Sequence, residues 1–237
     1  MADEKTIAFV LYPGCTILDL VGPLQVLSMF SAMRPEFRVT VVAEELAICD
    51  TDTPLHVRAD RTFADVPAPD VVVVPGGGTP TLRAAIHEPL LAYLRGVAPG
   101  ADLVASVCTG SLILGAAGLL EGRRATTHWA VLDVLAEFGA TPVGERWVQD
   151  GPVLTAAGVS AGIDMALHLV EELAGAEVAR TVQFGIEYDP EPPHGGLEWS
   201  EAPRALYATV AEQWLQEGLG THPLAERLAA RLNGSAG

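Results

Sequence analysis

The feature that most constrains the fold is an apolar run over residues 101–119 with a cysteine near its centre. Residues 103–107 form a short apolar run, which is typical of a strand buried on both faces. Residues 111–119 are apolar and rich in alanine, which predicts a buried helix. Cys108 therefore lies where a strand ends and a helix begins.

This position makes Cys108 the first candidate functional residue. The free N–H groups and the positive dipole end of a helix N-terminus favour a thiolate. Thr109 is small and Gly110 is a glycine, so the turn can be tight. The alternative is a structural cysteine buried in the core, which is common for this residue type. A lone cysteine does not decide between the two interpretations.

Strands and helices alternate along most of the chain. Strands are predicted at residues 6–12, 37–43, 71–74, 103–107, 122–128, 145–149 and 153–156, and helices at 18–30, 81–87, 89–97, 111–119, 129–138, 158–172 and 176–188. A small hairpin is expected within residues 47–59, and Asp150–Gly151 signals another. The alternation predicts a three-layer α/β sandwich, flavodoxin-like, with a mostly parallel central sheet flanked by helices.

Two more segments follow predicted strands directly, as the cysteine does. Asp19 comes at the start of a helix that Pro23 is expected to open, so it is either an N-cap or a functional carboxyl group. Gly76, Gly77 and Gly78 follow the strand at 71–74, where their N–H groups could approach a ligand or form a flexible turn. Because ligands bind at the carboxyl ends of parallel strands, these segments are expected to converge with Cys108.

The last part of the chain differs in composition. Residues 189–200 are acidic and rich in proline and glycine, which predicts an extended arm. Helices are predicted at 203–217 and 224–232, packed on the domain or on a partner subunit. We therefore predict an α/β domain over residues 1–190 and an extension over 191–237. The arm could cover the partner's site in a homodimer.

The charge balance restricts the partners. With 30 acidic and 14 basic residues the net charge is -16, which argues against nucleic acid and anionic membrane surfaces. The chain shows no secretory signal and no apolar run of the roughly 18 residues that span a bilayer. The 3 cysteines have no metal-ligand spacing. These features predict a cytoplasmic protein, without metal or organic cofactor, that acts on a small molecule.

Several of these segments together resemble the ThiJ/PfpI superfamily, which has a class I glutamine amidotransferase-like fold. The resemblance covers roughly residues 5–190 and includes Pro75-Gly76-Gly77, residues 18–27 and residues 106–129. Residues 157–164 and 187–193, together with the Asp of 18–27 and the Cys-Thr pair, are similar to the branch that hydrates isocyanides. That likeness implies conversion of an isocyanide to an N-substituted formamide.

The resemblance also implies roles for individual residues. Cys108 would be the nucleophile and Asp19 the acid/base group, with a pKa raised by burial among apolar neighbours. The N–H group of Thr109 and one near Gly77 would be oxyanion-type donors. His128 matches a histidine near the site in other branches, where we expect a supporting position. Relatives that are proteases or glyoxalases carry histidine where this chain has Thr109, which argues against a Cys-His mechanism.

Other functions are compatible with the same residues. The first is a different hydrolase or a glyoxalase-like enzyme of this fold. The second is a thiol redox sensor in which Cys108 is oxidised. The third is the sensory half of an AraC-type regulator. It is disfavoured because only 37 residues follow Ser200, and those residues are not basic.

Overall fold

A computed structural model describes residues 4–234, with side chains described up to residue 232. Residues 1–3 and 235–237 lie outside the described residues. They are the outer ends of the two predicted units, 1–190 and 191–237. Among the residues described, no helix combines the length and the apolar character that crossing a membrane requires.

The molecule is built around one central sheet. The strands are β1 (Lys5–Val10), β2 (Phe37–Ala43), β3 (Cys49–Asp50), β4 (His56–Val57), β5 (Arg61–Thr62), β6 (Val71–Val74), β7 (Leu103–Ser106), β8 (Arg124–Ala125), β9 (Thr141–Pro142), β10 (Trp147–Asp150) and β11 (Val153–Ala156). The central sheet has the order β10-β11-β7-β6-β1-β2-β5. Its pairs are parallel, except for the predicted hairpin of β10 and β11. β3 and β4 form the expected small hairpin.

Helices pack around this sheet in two groups. They are α1 (Ile17–Met33), α2 (Thr79–Ala84), α3 (Glu88–Val97), α4 (Gly110–Ala116), α5 (Ala161–Ala174), α6 (Ala176–Gly185), α7 (Arg204–Leu219) and α8 (Pro223–Gly234). α1, α5 and α6 contact one another, and α2 and α3 contact α4. Strands β6 and β7 between them are buried along their whole length. The predicted three-layer α/β fold with a mostly parallel sheet is therefore confirmed.

The start of α1 differs from the prediction. Asp52 accepts a hydrogen bond from the Ile17 N–H group at 2.8 Å and so caps the helix from a distant part of the chain. The helix begins at Ile17, so Asp19 lies in its first turn and Pro23 lies in its interior. The expectation that Pro23 opens the helix is wrong. Because proline has no N–H group, the Asp19 carbonyl oxygen lacks its usual partner four residues later.

Residues 122–138 also differ from the prediction. The expected strand at 122–128 is reduced to β8, which pairs with β9. The expected α-helix at 129–138 is a 3₁₀ helix, Trp129–Phe138, interrupted where Val131 has a non-helical φ of -130°. His128 Nδ1 accepts the Ala130 N–H group and caps the start of this segment, and at its end the Phe138 ring packs against Gly115 of α4. Packing overrides the helical periodicity here.

The C-terminal helices pack on the domain of their own chain. α7 contacts α2 and α8, and α8 contacts the Trp129–Phe138 segment. The side chains of Leu215, Leu219, Leu224 and Leu228 are buried in the common core. Between α6 and α7 the chain is mostly exposed, with a short 3₁₀ helix at Trp199–Glu201. Both predicted C-terminal helices therefore exist, with ends shifted by a few residues.

Candidate active site

The candidate site is centred on a sharp turn between β7 and α4. Cys108 has a φ of +55°, which is unusual for a residue other than glycine and costs backbone strain. Its N–H group donates to the carbonyl oxygen of Ala157 at 2.9 Å. Gly110 is required two residues later, because an added Cβ would lie 2.8 Å from the Pro75 carbonyl oxygen. The turn therefore fixes the Cys108 side chain at the carboxyl end of the central sheet.

Asp19 reaches the same sheet edge from the first turn of α1. Its side chain is 0% exposed, and Oδ2 accepts a hydrogen bond from the Gly76 N–H group at 2.9 Å. The carboxyl group also interacts with the thiol of Cys108. Among the described residues, the other carboxyl oxygen, Oδ1, has no partner with regular hydrogen-bond geometry. Folding thus brings together two side chains that are far apart in the sequence.

Burial controls the acid–base properties of this pair. Burial raises the pKa of Asp19 from 3.8 to about 7, although the hydrogen bond from Gly76 opposes the rise. The Asp52 carboxylate raises this pKa further. Near neutral pH the Asp19 carboxyl group is therefore divided between its acid and its carboxylate forms.

The pKa of the Cys108 thiol is raised, whereas its position beside a helix N-terminus predicts a lowered pKa. Burial raises the pKa of the Cys108 thiol well above its usual range, and the neighbouring Asp19 carboxylate raises it further. Hydrogen bonds from the N–H groups of Val159 and Thr109 lower this pKa only in part. Cys108 is only 6% exposed, so desolvation, which favours the thiol, opposes the helix N-terminus, which favours the thiolate.

The glycine loop holds the site instead of offering free donors. The Gly76 N–H group donates to Asp19, and the Gly77 N–H group donates to Thr109 Oγ1 at 3.0 Å. These two N–H groups are therefore not free to bind an oxyanion, in contrast to the expectation for the glycine loop, because both already donate to side chains of the protein. Gly78 lies farther out, where an added Cβ would be 3.1 Å from the Trp214 ring. The loop therefore positions the carboxyl group and the threonine.

A buried row of hydroxyl groups supports Thr109. Thr109 Oγ1 lies 2.9 Å from Thr81 Oγ1, which lies 3.0 Å from the Tyr12 hydroxyl group. Tyr12 donates to the Pro75 carbonyl oxygen at 2.9 Å, so each hydroxyl group can donate once toward Pro75. Sequence reasoning missed Tyr12 and Thr81. The only available signal was a tyrosine at the end of an otherwise apolar strand.

A cavity of about 530 Å³ lies beside residues that flank the pair, although neither Cys108 nor Asp19 is part of its lining. Thr127 lines it and donates to the Cys108 carbonyl oxygen at 2.9 Å, while Val159 and Leu18 line it beside the sulfur and Asp19. His128 also lines this cavity, and burial lowers the pKa of its imidazole, which favours the neutral form. The His128 ring lies 5.8 Å from that of Tyr207 on α7. The outer lining includes Leu197 and Trp199 of the arm.

A parallel α/β sheet with a cysteine on a strained strand-to-helix turn, beside a buried carboxyl group, defines a class of proteins with a cysteine elbow. The chain belongs to the DJ-1/PfpI family, whose profile matches residues 5–172. Both Cys108 and Asp19 lie within this matched region.

Individual relatives are also similar to this chain. It is 42% identical to isonitrile hydratase from Pseudomonas putida, over 96% of this chain and 97% of that protein. It is 34% identical to the Parkinson disease protein 7 homolog from Danio rerio, over 77% of this chain and 96% of that protein. A ThiJ/PfpI family protein from Pseudomonas syringae has a similar crystal structure, with a TM-score of 0.83 and 36% identity over 98% of this chain and 91% of that one.

Proposed function

We propose that this protein hydrates isocyanides to N-substituted formamides, with Cys108 as the nucleophile and Asp19 as the acid/base group. The observation that carries the proposal is the contact between the Cys108 thiol and a buried carboxyl group whose pKa is about 7. The full-length similarity to an isonitrile hydratase supports the choice of substrate, and it supports an enzyme over a sensor.

The first step requires one proton shared by the pair. In the reactive form Cys108 and Asp19 together hold a single proton, which moves from sulfur to the carboxylate. The thiolate attacks the terminal carbon of the isocyanide while the Asp19 carboxylic acid protonates the same carbon. A thioimidate forms, with a new C–S bond, a new C–H bond and a C=N double bond. Asp19 is left as a carboxylate.

The second step adds water. The Asp19 carboxylate takes a proton from a water molecule while the water oxygen attacks the thioimidate carbon. The Asp19 carboxylic acid formed in this way then protonates the thioimidate nitrogen. The tetrahedral intermediate then collapses: the C–S bond breaks, and the hydroxyl proton returns to Asp19. The leaving thiolate accepts hydrogen bonds from the N–H groups of Thr109 and Val159. The sum is isocyanide plus water to formamide, with no redox change and no need for a metal or organic cofactor.

Two substitutions test the proposal. Cys108→Ser and Asp19→Asn should each lower kcat/KM for an alkyl isocyanide, by about 10³-fold or more for the cysteine and about 10²–10⁴-fold for the aspartate. Formamide is measured by NMR. Cys49→Ser is the matched control, because Cys49 is a buried cysteine on the peripheral strand β3, and it should keep full activity.

The pH profile gives an independent check. Below a pH of about 7 Asp19 becomes protonated, and the pair then holds two protons and lacks the base. The wild-type rate should therefore rise as the pH rises through about 7. Turnover of methylglyoxal without turnover of isocyanides, or full activity in Cys108→Ser, contradicts the proposal.

The homodimer stays a prediction. Measuring the molecular mass of the protein in solution checks it.

A further inference from the structure

One peptide unit of the glycine loop is hydrogen-bonded at both of its ends. The Pro75 carbonyl oxygen accepts from the Tyr12 hydroxyl group at 2.9 Å. The Gly76 N–H group of the same peptide donates to Asp19 Oδ2 at 2.9 Å. A hydrogen bond to a carbonyl oxygen polarises the peptide, so the N–H group across it becomes a stronger donor. Tyr12 is therefore linked to the Asp19 carboxyl group through a single peptide unit.

The hydroxyl groups behind Tyr12 can donate in one direction only. Because a carbonyl oxygen cannot donate, the single hydroxyl hydrogen of Tyr12 points to Pro75, and Tyr12 must accept from Thr81. Thr81 in turn accepts from Thr109, whose Oγ1 accepts the Gly77 N–H group. The three side chains are buried, so water does not compete for their hydrogens. The row is thus one aligned series of dipoles that ends on the Pro75 carbonyl oxygen.

The same row contacts the other member of the reacting pair. The Thr109 N–H group donates to the Cys108 sulfur, and the Thr109 hydroxyl group begins the row. An added Cβ at Gly76 would lie 2.6 Å from Thr109 Oγ1 and 2.9 Å from Asp19 Oδ2, so the loop passes tightly between these two side chains. Close packing therefore holds the Gly76 N–H group in place, and the row determines how strongly it donates.

We propose that Tyr12 and Thr81 are positioning residues: their aligned hydroxyl groups strengthen the N–H donor of the loop and so favour the carboxylate form of Asp19. This inference rests on the proposed hydration only for the use of that carboxylate as the base. Burial and the Asp52 carboxylate oppose the row, since both favour the neutral acid. If the row supplies about a fifth of a charge-assisted hydrogen bond, its loss raises the pKa of Asp19 by about 0.4.

Asp19 is the group whose titration the pH dependence of this site reports. Among the described residues, the titratable side chains that face it are Tyr12 after β1, Cys15 before α1, Asp52 beside the hairpin of β3 and β4, and Cys108 at the turn after β7. Burial raises the pKa of Tyr12, Cys15 and Cys108, so these three stay protonated near neutral pH. Asp52 is the charged neighbour, and the substitutions below leave it in place.

The pH profiles of two tyrosine variants test the proposal. Tyr12→Phe should move the midpoint of the acid limb of kcat/KM for an alkyl isocyanide up by about 0.4, which lowers the value at pH 6 about 2.5-fold and leaves the value at pH 9 within about twofold. Tyr93→Phe is the matched control, because the Tyr93 hydroxyl group also donates to a backbone carbonyl oxygen, that of Val66, at 3.1 Å. Its midpoint should equal that of the wild type. An equal loss at pH 6 and pH 9 in Tyr12→Phe overturns the proposal, since lost packing lowers activity at every pH.

Substitutions at Thr81 test the row behind the tyrosine. Thr81→Val interrupts the row and should move the midpoint up by about 0.2, less than Tyr12→Phe, because Tyr12 still donates to the loop. Thr81→Ser keeps the hydroxyl group and should restore the wild-type midpoint. If the serine and valine variants share one midpoint, the hydroxyl group of Thr81 has no effect and the row does not act as proposed.

A measurement without turnover separates this proposal from the proposed function. Infrared difference spectroscopy follows the C=O stretch of a protonated carboxyl group, and Asp19→Asn identifies the band of Asp19. In Tyr12→Phe the titration midpoint of this band should lie about 0.4 above that of the wild type. If the band moves in this way but isocyanides are not hydrated, the positioning role stands and the hydration proposal fails. If isocyanides are hydrated and neither the band nor the acid limb moves, the positioning proposal fails alone.

Discussion

The cysteine elbow and the C-terminal cover are built in opposite ways. Around Cys108 the chain is buried and the backbone is strained, and Asp19 and Thr109 accept hydrogen bonds from Gly76 and Gly77 within the family-matched domain. The cover, defined as residues 197–232, is attached to the domain by a few ring contacts, buried leucines and ion pairs, and its Trp199 is half exposed. From this difference we expect the surroundings of Cys108 to tolerate almost no substitution, whereas the cover tolerates more.

The largest effect is expected at the elbow itself. Gly110→Ala should remove about 5 kcal/mol of stability or prevent folding, because the new Cβ meets the backbone of Val74 and Pro75, which cannot move without disturbing β6. The measurement is urea unfolding followed by circular dichroism.

Gly96→Ala in α3 is the matched control. An added Cβ at Gly96 meets no atom within 4 Å, so this substitution should stabilise the helix by about 0.5–1 kcal/mol. If both alanine variants show similar stability, close packing does not constrain the elbow, and the contrast with the cover is lost.

The second prediction concerns the cost of burying Asp19. With its pKa raised from 3.8 to about 7, the folded protein holds a proton on Asp19 that the unfolded chain has released in this pH range. Stability therefore falls as the pH rises from about 4 to about 7, by up to about 4 kcal/mol. Asp19→Asn avoids this loss and can still accept the Gly76 N–H group, so it should be more stable than the wild type at pH 8.

Thermal unfolding at two pH values checks this prediction. At pH 8 the Tm of Asp19→Asn should exceed that of the wild type by about 8 °C, and at pH 4 the difference should nearly vanish. Asp133→Asn is the control, because Asp133 is exposed, and its Tm should stay within about 2 °C of the wild type at both pH values. A gain that is equal at pH 4 and pH 8 contradicts a titrating Asp19.

The sequence was most informative about the elbow. A strand, a cysteine and a helix within residues 103–119 place Cys108 at a sheet edge, and strand-end positions bring Asp19 and Gly76 to the same edge. The thiol pKa could not be read in this way, because the depth of burial is a property of the assembled layers. Tyr12 and Thr81 were also missed, since a hydroxyl row joins residues that only the fold makes neighbours.

Local periodicity failed where distant contacts fix the backbone. α1 begins earlier than its apolar pattern indicates because Asp52 caps it. The Trp129–Phe138 segment is 3₁₀ rather than α, and its end is held by packing of the Phe138 ring against Gly115 of α4. The contact between the Trp199 and Trp129 rings was missed as well: residues 189–200 predict an extended arm by composition, but nothing in the sequence aligns the two tryptophans.

The smallest effect is expected in the attachment of the cover. Glu137 accepts hydrogen bonds from Arg227 at 2.5 Å and Arg231 at 3.3 Å, which join α8 to the domain. The bond from Arg227 lowers the pKa of Glu137, so this contribution is present above pH 4.5 and is lost as the pH falls through the lowered pKa. Glu137→Gln should cost about 1 kcal/mol.

Hydrogen exchange shows where this energy is lost. In Glu137→Gln the amides of α8 should exchange about fivefold faster at neutral pH, while those of β6 and β7 should not change, because the cover opens without global unfolding. Glu212→Gln, an exposed substitution on α7, is the control and should leave exchange unaltered. If β6 and α8 accelerate together, the cover and the elbow form one cooperative unit. In that case a substitution in the cover reaches Cys108 through the fold, and the two regions cannot vary independently.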